Sequence, residues 1–168
     1  MLRRLPPIAL AAIATAVLAA VVVTVVLLTG GAGGRGVPSC SDALEAGPYG
    51  CVVFVSIDGS VDGKAVDAAG GGRVTYRVER SGSGERLVWT GDCNGGEGSA
   101  RITATRYRLG DMLSGQKACE GGAPADAFAS RLFASGADLR VDDRDDGTVV
   151  VTRGTATARF DQVVAERG

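Results

Sequence analysis

No charged residue interrupts the chain from Ile8 to Thr29, and beyond that run apolar and polar positions mostly alternate with a period of two. The run spans 22 residues. As a helix it would extend roughly 33 Å, enough to cross a hydrocarbon core of about 30 Å. Arg3 and Arg4 precede it and only Arg35 follows closely. The positive-inside rule therefore keeps the N-terminus cytoplasmic and exports the rest. Pro6 and Pro7 suit a helix entrance, where a missing N–H costs little. Residues 1–29 are read as a cytoplasmic tip and a transmembrane anchor or signal segment. A cut near Gly30, Gly31 and Ala32 would make the product secreted. A lipid-modified Cys40 is the third option, with Val37 and Ser39 fitting a lipobox and Pro38 fitting it poorly.

Residues 30–39 are a Gly-rich linker that cannot pack a core. Residues 40–168 form the predicted extracytoplasmic domain. Cys51 to Ile57 reads as an apolar strand ending at an Asp58-Gly59 turn. Val74, Tyr76 and Val78 alternate with Thr75, Arg77 and Glu79, as in a half-buried strand. Ser81 to Gly84 is a loop, and Leu87 to Thr90 resumes a strand with Trp89 inward. Ile102 and Ala104 alternate with Arg101 and Thr103. Leu139 and Val141 lead to a turn at Asp146-Gly147. Val149–Val151 and Thr157–Phe160 make a closing hairpin around Arg153-Gly154. One segment is helical instead: Pro124 starts it, Phe128, Leu132 and Phe133 share a face, and Gly136 ends it. The predicted fold class is α+β, a small curved antiparallel sheet with one packed helix, preceded by one N-terminal transmembrane helix.

Charge narrows the partners. The 18 Lys and Arg, less Arg3 and Arg4, leave 16 exported basic residues against 19 acidic ones, a net −3. The exported part is mildly acidic and no basic face is expected, so nucleic-acid binding has no electrostatic support. Histidine is absent, which removes Ser-His-Asp and Cys-His catalysis.

Cys40, Cys51, Cys93 and Cys119 all follow the apolar run. An even count in an exported domain reads as disulfides. Four cysteines allow three pairings; the most local joins Cys40 to Cys51 and Cys93 to Cys119. Zinc is disfavoured, with no Cys-x-x-Cys pair and no histidine. No metal or cofactor is expected.

The stretch Gly91-Asp92-Cys93-Asn94, then Gly98, the strand through Ile102, and Lys117-Ala118-Cys119 resembles the META domain, the HslJ-like family of bacterial envelope proteins. Phe54 to Gly59 resembles its opening strand and turn, Phe128 to Leu132 its helix, and Val149 to Phe160 its closing hairpin. The likeness runs from about Cys51 to Phe160. Asp92, Cys93, Asn94, Ala118 and Cys119 carry the family motif. This chain departs from the pattern at Val52, where an aromatic is common, at Gly115 and Lys117, and in the Gly95–Gly98 loop. The resemblance implies an envelope-stress or drug-tolerance setting with no assigned catalytic residue. Asn94 is read as structural, bonding neighbouring backbone at a strand end.

Other motifs carry less. Ser114-Gly115-Gln116-Lys117 meets a bare Ser-x-x-Lys pattern without its partner motifs. Asp142 to Gly147 looks like a calcium loop, but Arg144 stands at its third position and Arg153 at its twelfth. Gly70-Gly71-Gly72 is a loop rather than a phosphate cradle. The expected function is a non-enzymatic, single-pass, extracytoplasmic binding or envelope-stress module with a protein or cell-wall ligand. The alternative is a small secreted inhibitor of an envelope-directed enzyme, presenting Gly95–Gly98 or Val61–Gly72.

Overall fold

The computed structural model describes residues 40–66, 73–82, 84–115, 117 and 124–166. The predicted span Ile8–Thr29, the linker, Gly70–Gly72, Ala118 and Cys119 lie outside them. Among the described residues no helix is long and apolar enough to cross a membrane.

Nine strands follow in order: β1 (Val52–Val61), β2 (Lys64–Ala65), β3 (Thr75–Ser81), β4 (Gly84–Thr90), β5 (Gly95–Thr103), β6 (Arg106–Ser114), β7 (Asp138–Asp143), β8 (Thr148–Arg153) and β9 (Ala156–Val164). A short helix, α1 (Asp42–Glu45), precedes β1, and α2 (Pro124–Leu132) joins β6 to β7. Every pairing is antiparallel, and β1 also pairs with β9 from Val52↔Val164 to Val61↔Ala156. That pairing closes eight strands into a barrel, with β2 a two-residue appendage on β1. The open curved sheet with a packed helix is therefore corrected to a closed barrel. The physical reason lies in the edges. An open sheet would leave the N–H and C=O rows of β1 and β9 unpaired, and closure satisfies both.

Two strand boundaries also move. β1 does not turn at Asp58-Gly59; it carries a register shift between Ser56 and Asp58 and runs on to Val61. The turn falls at Asp62-Gly63, both at positive φ. Ala104 leaves β5 for the tight β5–β6 turn and is exposed. Helix α2 begins at Pro124 as its missing N–H favours, but it ends at Leu132, and Gly136 (φ 68°) serves a later turn instead of its C-cap.

Period-two alternation around the ring points one face of every strand inward. Phe54, Tyr76, Trp89, Tyr107, Leu139, Val151 and Phe160 fill the interior at 2% exposure or less. Phe54 stacks on Tyr76 with ring centroids 4.5 Å apart, and Phe160 meets Tyr76 edge-on at 4.8 Å. Each such side chain contributes about 1.5–3 kcal/mol by leaving water. A filled interior leaves sites only at the mouths and on the outer face. One mouth takes α2, whose Phe128 ring lies over Gly59. The other carries α1, the Cys40–Cys51 disulfide and the β3–β4, β5–β6 and β7–β8 turns. Leu44, Val53 and Ala165 form a small second core there.

Candidate functional site

The motif residues Gly91 to Asn94 form the β4–β5 turn at the mouth closed by α2. Gly91 is buried, and Asp92, Cys93 and Asn94 are half-buried. Asp126, in the first turn of α2 and 6% exposed, accepts from the Cys93 N–H at 3.3 Å and the Asn94 N–H at 2.9 Å. It also accepts from Asn94 Nδ2 at 2.9 Å. Asn94 Oδ1 in turn accepts the Lys117 N–H at 2.7 Å, and Asn94 Nδ2 reaches the Lys117 carbonyl at 3.3 Å. Asn94 thus ties the turn to helix α2 and to Lys117 in the segment after β6, and its side chain bonds groups distant in sequence where bonds to neighbouring backbone were expected. Gly91 is glycine because a Cβ there would meet the Asp126 carboxylate. Cys93 is disulfide-bonded; its expected partner Cys119 lies outside the described residues.

Cys40 and Cys51 are joined, with Cα atoms 5.3 Å apart. Glu45 lies close to both sulfurs. Oxidised sulfurs offer no thiolate, so that trio makes a poor metal site.

Beside the motif the same mouth has a shallow concavity of about 470 Å³, lined by residues of β4, β5 and β6. Trp89, Gly95, Gly96, Leu113, Ser114 and Gly115 are among the residues that line it. Leu113 is 75% exposed. A Cβ at Gly96 would fall on the indole, 2.7 Å from Cε2. The Trp89 Nε1–H is buried and has no hydrogen-bond partner among the described residues. Most buried polar groups are paired, so a buried donor without a partner is uncommon. Gly95 to Gly98 is not a presented loop. It is the start of β5, its glycines required by close neighbours such as the Trp89 carbonyl at 2.8 Å from the Gly95 Cβ position. The inhibitor reading loses that loop.

Ser114 is exposed and its hydroxyl makes no hydrogen bond among the described residues. The acidic turn is a hairpin clasp: Asp146 accepts from the Thr148 hydroxyl at 2.6 Å and its N–H at 2.9 Å. Those bonds hold the Asp146 carboxyl below the usual range.

On the outer face Glu79, with 5% side-chain exposure, receives Arg77 Nε and Arg86 Nη2, each at 2.6 Å, and Arg86 also reaches Glu97 at 3.2 Å. Burial pushes the Glu79 carboxyl up, but the bonds from Arg86 and Arg77 outweigh it and hold the carboxyl below its ordinary value. Inside, the Tyr49 and Tyr107 hydroxyls meet at 2.6 Å.

One expectation from composition is overturned. The outer face of β5–β7 is basic: Arg101 stands opposite Arg108, and Arg106 opposite Arg140. Whole-chain charge averages this away, whereas the alternation Arg106-Tyr107-Arg108 already places both arginines on one strand face. Asp126 and Trp89's recess were also missed. An acid within the apolar face of a helix was the legible sign of the first.

The architecture belongs to the small closed antiparallel barrels. The chain is similar in fold to the NMR structure of a protein from Burkholderia xenovorans, with a TM-score of 0.52 at 18% identity over 67% of this chain and 82% of that one. No protein-family model and no curated protein matches the chain.

Proposed function

We propose that the chain is a non-enzymatic binding module of META-like type, held at the membrane by its N-terminal run with the barrel outside the cell. It takes its ligand at the mouth beside Trp89. The observation that supports this is the buried Trp89 N–H, unpartnered among the described residues, on a residue that helps line a glycine-rich concavity. A ligand carbonyl, carboxylate or sugar oxygen would satisfy that donor, and the exposed Ser114 hydroxyl could add a second bond. Small, concave, partly apolar sites with few polar groups are what ligand recognition uses.

The chain has one tryptophan, so its fluorescence reports on this site alone. The full chain is titrated with soluble peptidoglycan fragments and with peptides released from the envelope. A saturable change in emission is expected, lost in Gly96→Val and in Ser114→Phe. Ser114 is exposed, so the second variant fills the recess without touching the core. Unchanged emission with both probes, or a response that survives Ser114→Phe, overturns the reading.

A further inference from the structure

The arginine face carries an inference that does not depend on the Trp89 recess. Cross-strand neighbours with like charge destabilise a sheet. This barrel has two such pairs side by side, Arg101↔Arg108 and Arg106↔Arg140. Nothing in the fold needs them: Tyr107 between them points inward, while Arg106 and Arg108 stay 58% and 63% exposed. Asp138 is the acid set among them, 2.8 Å from Arg106 and 3.8 Å from Arg108. Arg101 and Arg140 make no ion pair among the described residues. Asp142, further along β7, is engaged by Arg144 at 3.8 Å. The acid Asp111 lies further along β6, toward the other mouth. Four guanidinium groups against one shared carboxylate leave a concentrated positive field on a domain whose sum is negative.

We propose that this face docks on the anionic phospholipid headgroups of the membrane from which the domain is displayed. Guanidinium forks match phosphate oxygens two at a time, and neighbouring strands β5, β6 and β7 hold these four side by side on the barrel's outer face. The outer rows hold no aromatic side chain on which a base could stack, which disfavours single-stranded nucleic acid. Position supports lipid. Cys40, where the described chain begins, bonds to the Glu166 carbonyl at the mouth that also carries the β5–β6 turn beside Arg106. The ten-residue linker of residues 30–39 reaches about 35 Å at most. A domain so tethered meets the bilayer at high effective concentration, and a modest patch then suffices. The inference rests on the anchor reading for which membrane is met and at what effective concentration; the charge of the face is independent of it.

The full chain is reconstituted into lipid nanodiscs of phosphatidylcholine, with or without phosphatidylglycerol. Modification by phenylglyoxal is then read at each arginine by mass spectrometry. Arg106 and Arg108 are expected to react about fivefold more slowly in the anionic discs, with Arg131, on α2, unaffected as control. The protection should vanish near 1 M salt, where screening falls to about 3 Å. It should also weaken in the double variant Arg101→Gln, Arg140→Gln, which breaks no ion pair. Equal reactivity in both discs overturns the proposal, as does protection indifferent to the double variant. Protection that appears only when soluble polyphosphate is added to neutral discs assigns the face to an acidic polymer and overturns the lipid. A chain that fails to enter neutral discs overturns the anchor reading instead, and the same footprint on the soluble chain with phosphatidylglycerol vesicles still decides the docking.

Discussion

Asp126 Oδ2 holds Asn94 twice, through its backbone N–H and its side-chain Nδ2, each at 2.9 Å. The carboxylate joins helix α2 to the turn carrying the motif cysteine. Asp126→Ala would leave three N–H donors without their acceptor in a mostly buried place. Each orphan costs about 1–3 kcal/mol, and shared water recovers part, so the loss should be about 3 kcal/mol. Asp126→Asn keeps the shape and one acceptor, and should cost about half as much. Urea unfolding checks both, with the midpoint falling at constant slope. Equal losses for Ala and Asn would mean that packing, and not acceptance, is what Asp126 supplies.

Glu79 gives acid sensitivity to the outer face. Its carboxyl is held below the ordinary range in the folded state. A depressed acid contributes stability that is present above its unfolded value, about 4.3, and lost as pH falls through the lower folded value. Stability should therefore decline below about pH 4.5. Glu79→Gln should remove this part of the decline and cost about 1–2 kcal/mol at neutral pH, since both arginine partners are about a third exposed. Denaturant midpoints at neutral pH and across the acid range test this. An unchanged acid profile in Glu79→Gln would place the sensitivity elsewhere.

How much of this was readable follows from range of interaction. Alternation at Val74, Tyr76 and Val78 marked β3 because each side chain is set by its own backbone. Pro124 with Phe128 and Leu132 marked α2 for the same reason. Closure was not readable. It depends on β1 meeting β9 about a hundred residues away, and a strand pairing on one side looks locally like a strand pairing on both. Gly95–Gly98 looked like a loop because glycine usually signals one. The Trp89 indole and carbonyl and the Asp111 carbonyl, supplied by neighbouring strands, show why β5 must be bare there. Asn94 drew notice as a polar residue at a strand end, but its partners Lys117 and Asp126, 23 and 32 residues on, were not legible.

The Cys40–Cys51 bridge closes a loop over a sequence separation of 11. It ties α1 and Leu44 to the start of β1, where the second core is only three buried residues. Replacing both cysteines by serine should cost about 3 kcal/mol by the chain-entropy argument. The loss should appear first as faster amide exchange around Leu44 and Ala165, since a satellite core opens before the barrel does. Non-reducing peptide mapping of the native chain should recover Cys40 linked to Cys51. Cys40 found linked to Cys93 or Cys119 would overturn the pairing.

The three tyrosines make the barrel interior sensitive to base. Burial raises the hydroxyls of Tyr76 and Tyr107 far above the ordinary value and that of Tyr49 less, Tyr107 giving Tyr49 a compensating bond. A group whose folded value is raised contributes stability that is full below the unfolded value, about 10, and is lost as pH rises beyond it. Tyrosinate absorption should therefore appear in step with unfolding above about pH 10, with no earlier phase for Tyr76 or Tyr107. The Tyr76 hydroxyl is buried beside that of Tyr107, but among the described residues it has no well-formed hydrogen bond. Removing an unsatisfied buried hydroxyl is neutral or stabilising, so Tyr76→Phe should gain up to about 1 kcal/mol. Tyr107→Phe should lose about 1 kcal/mol, because it strands the Tyr49 hydroxyl bonded at 2.6 Å. Opposite signs for two buried Tyr→Phe changes of equal size separate hydrogen bonding from packing. A loss in Tyr76→Phe would mean that its hydroxyl has a partner in solution.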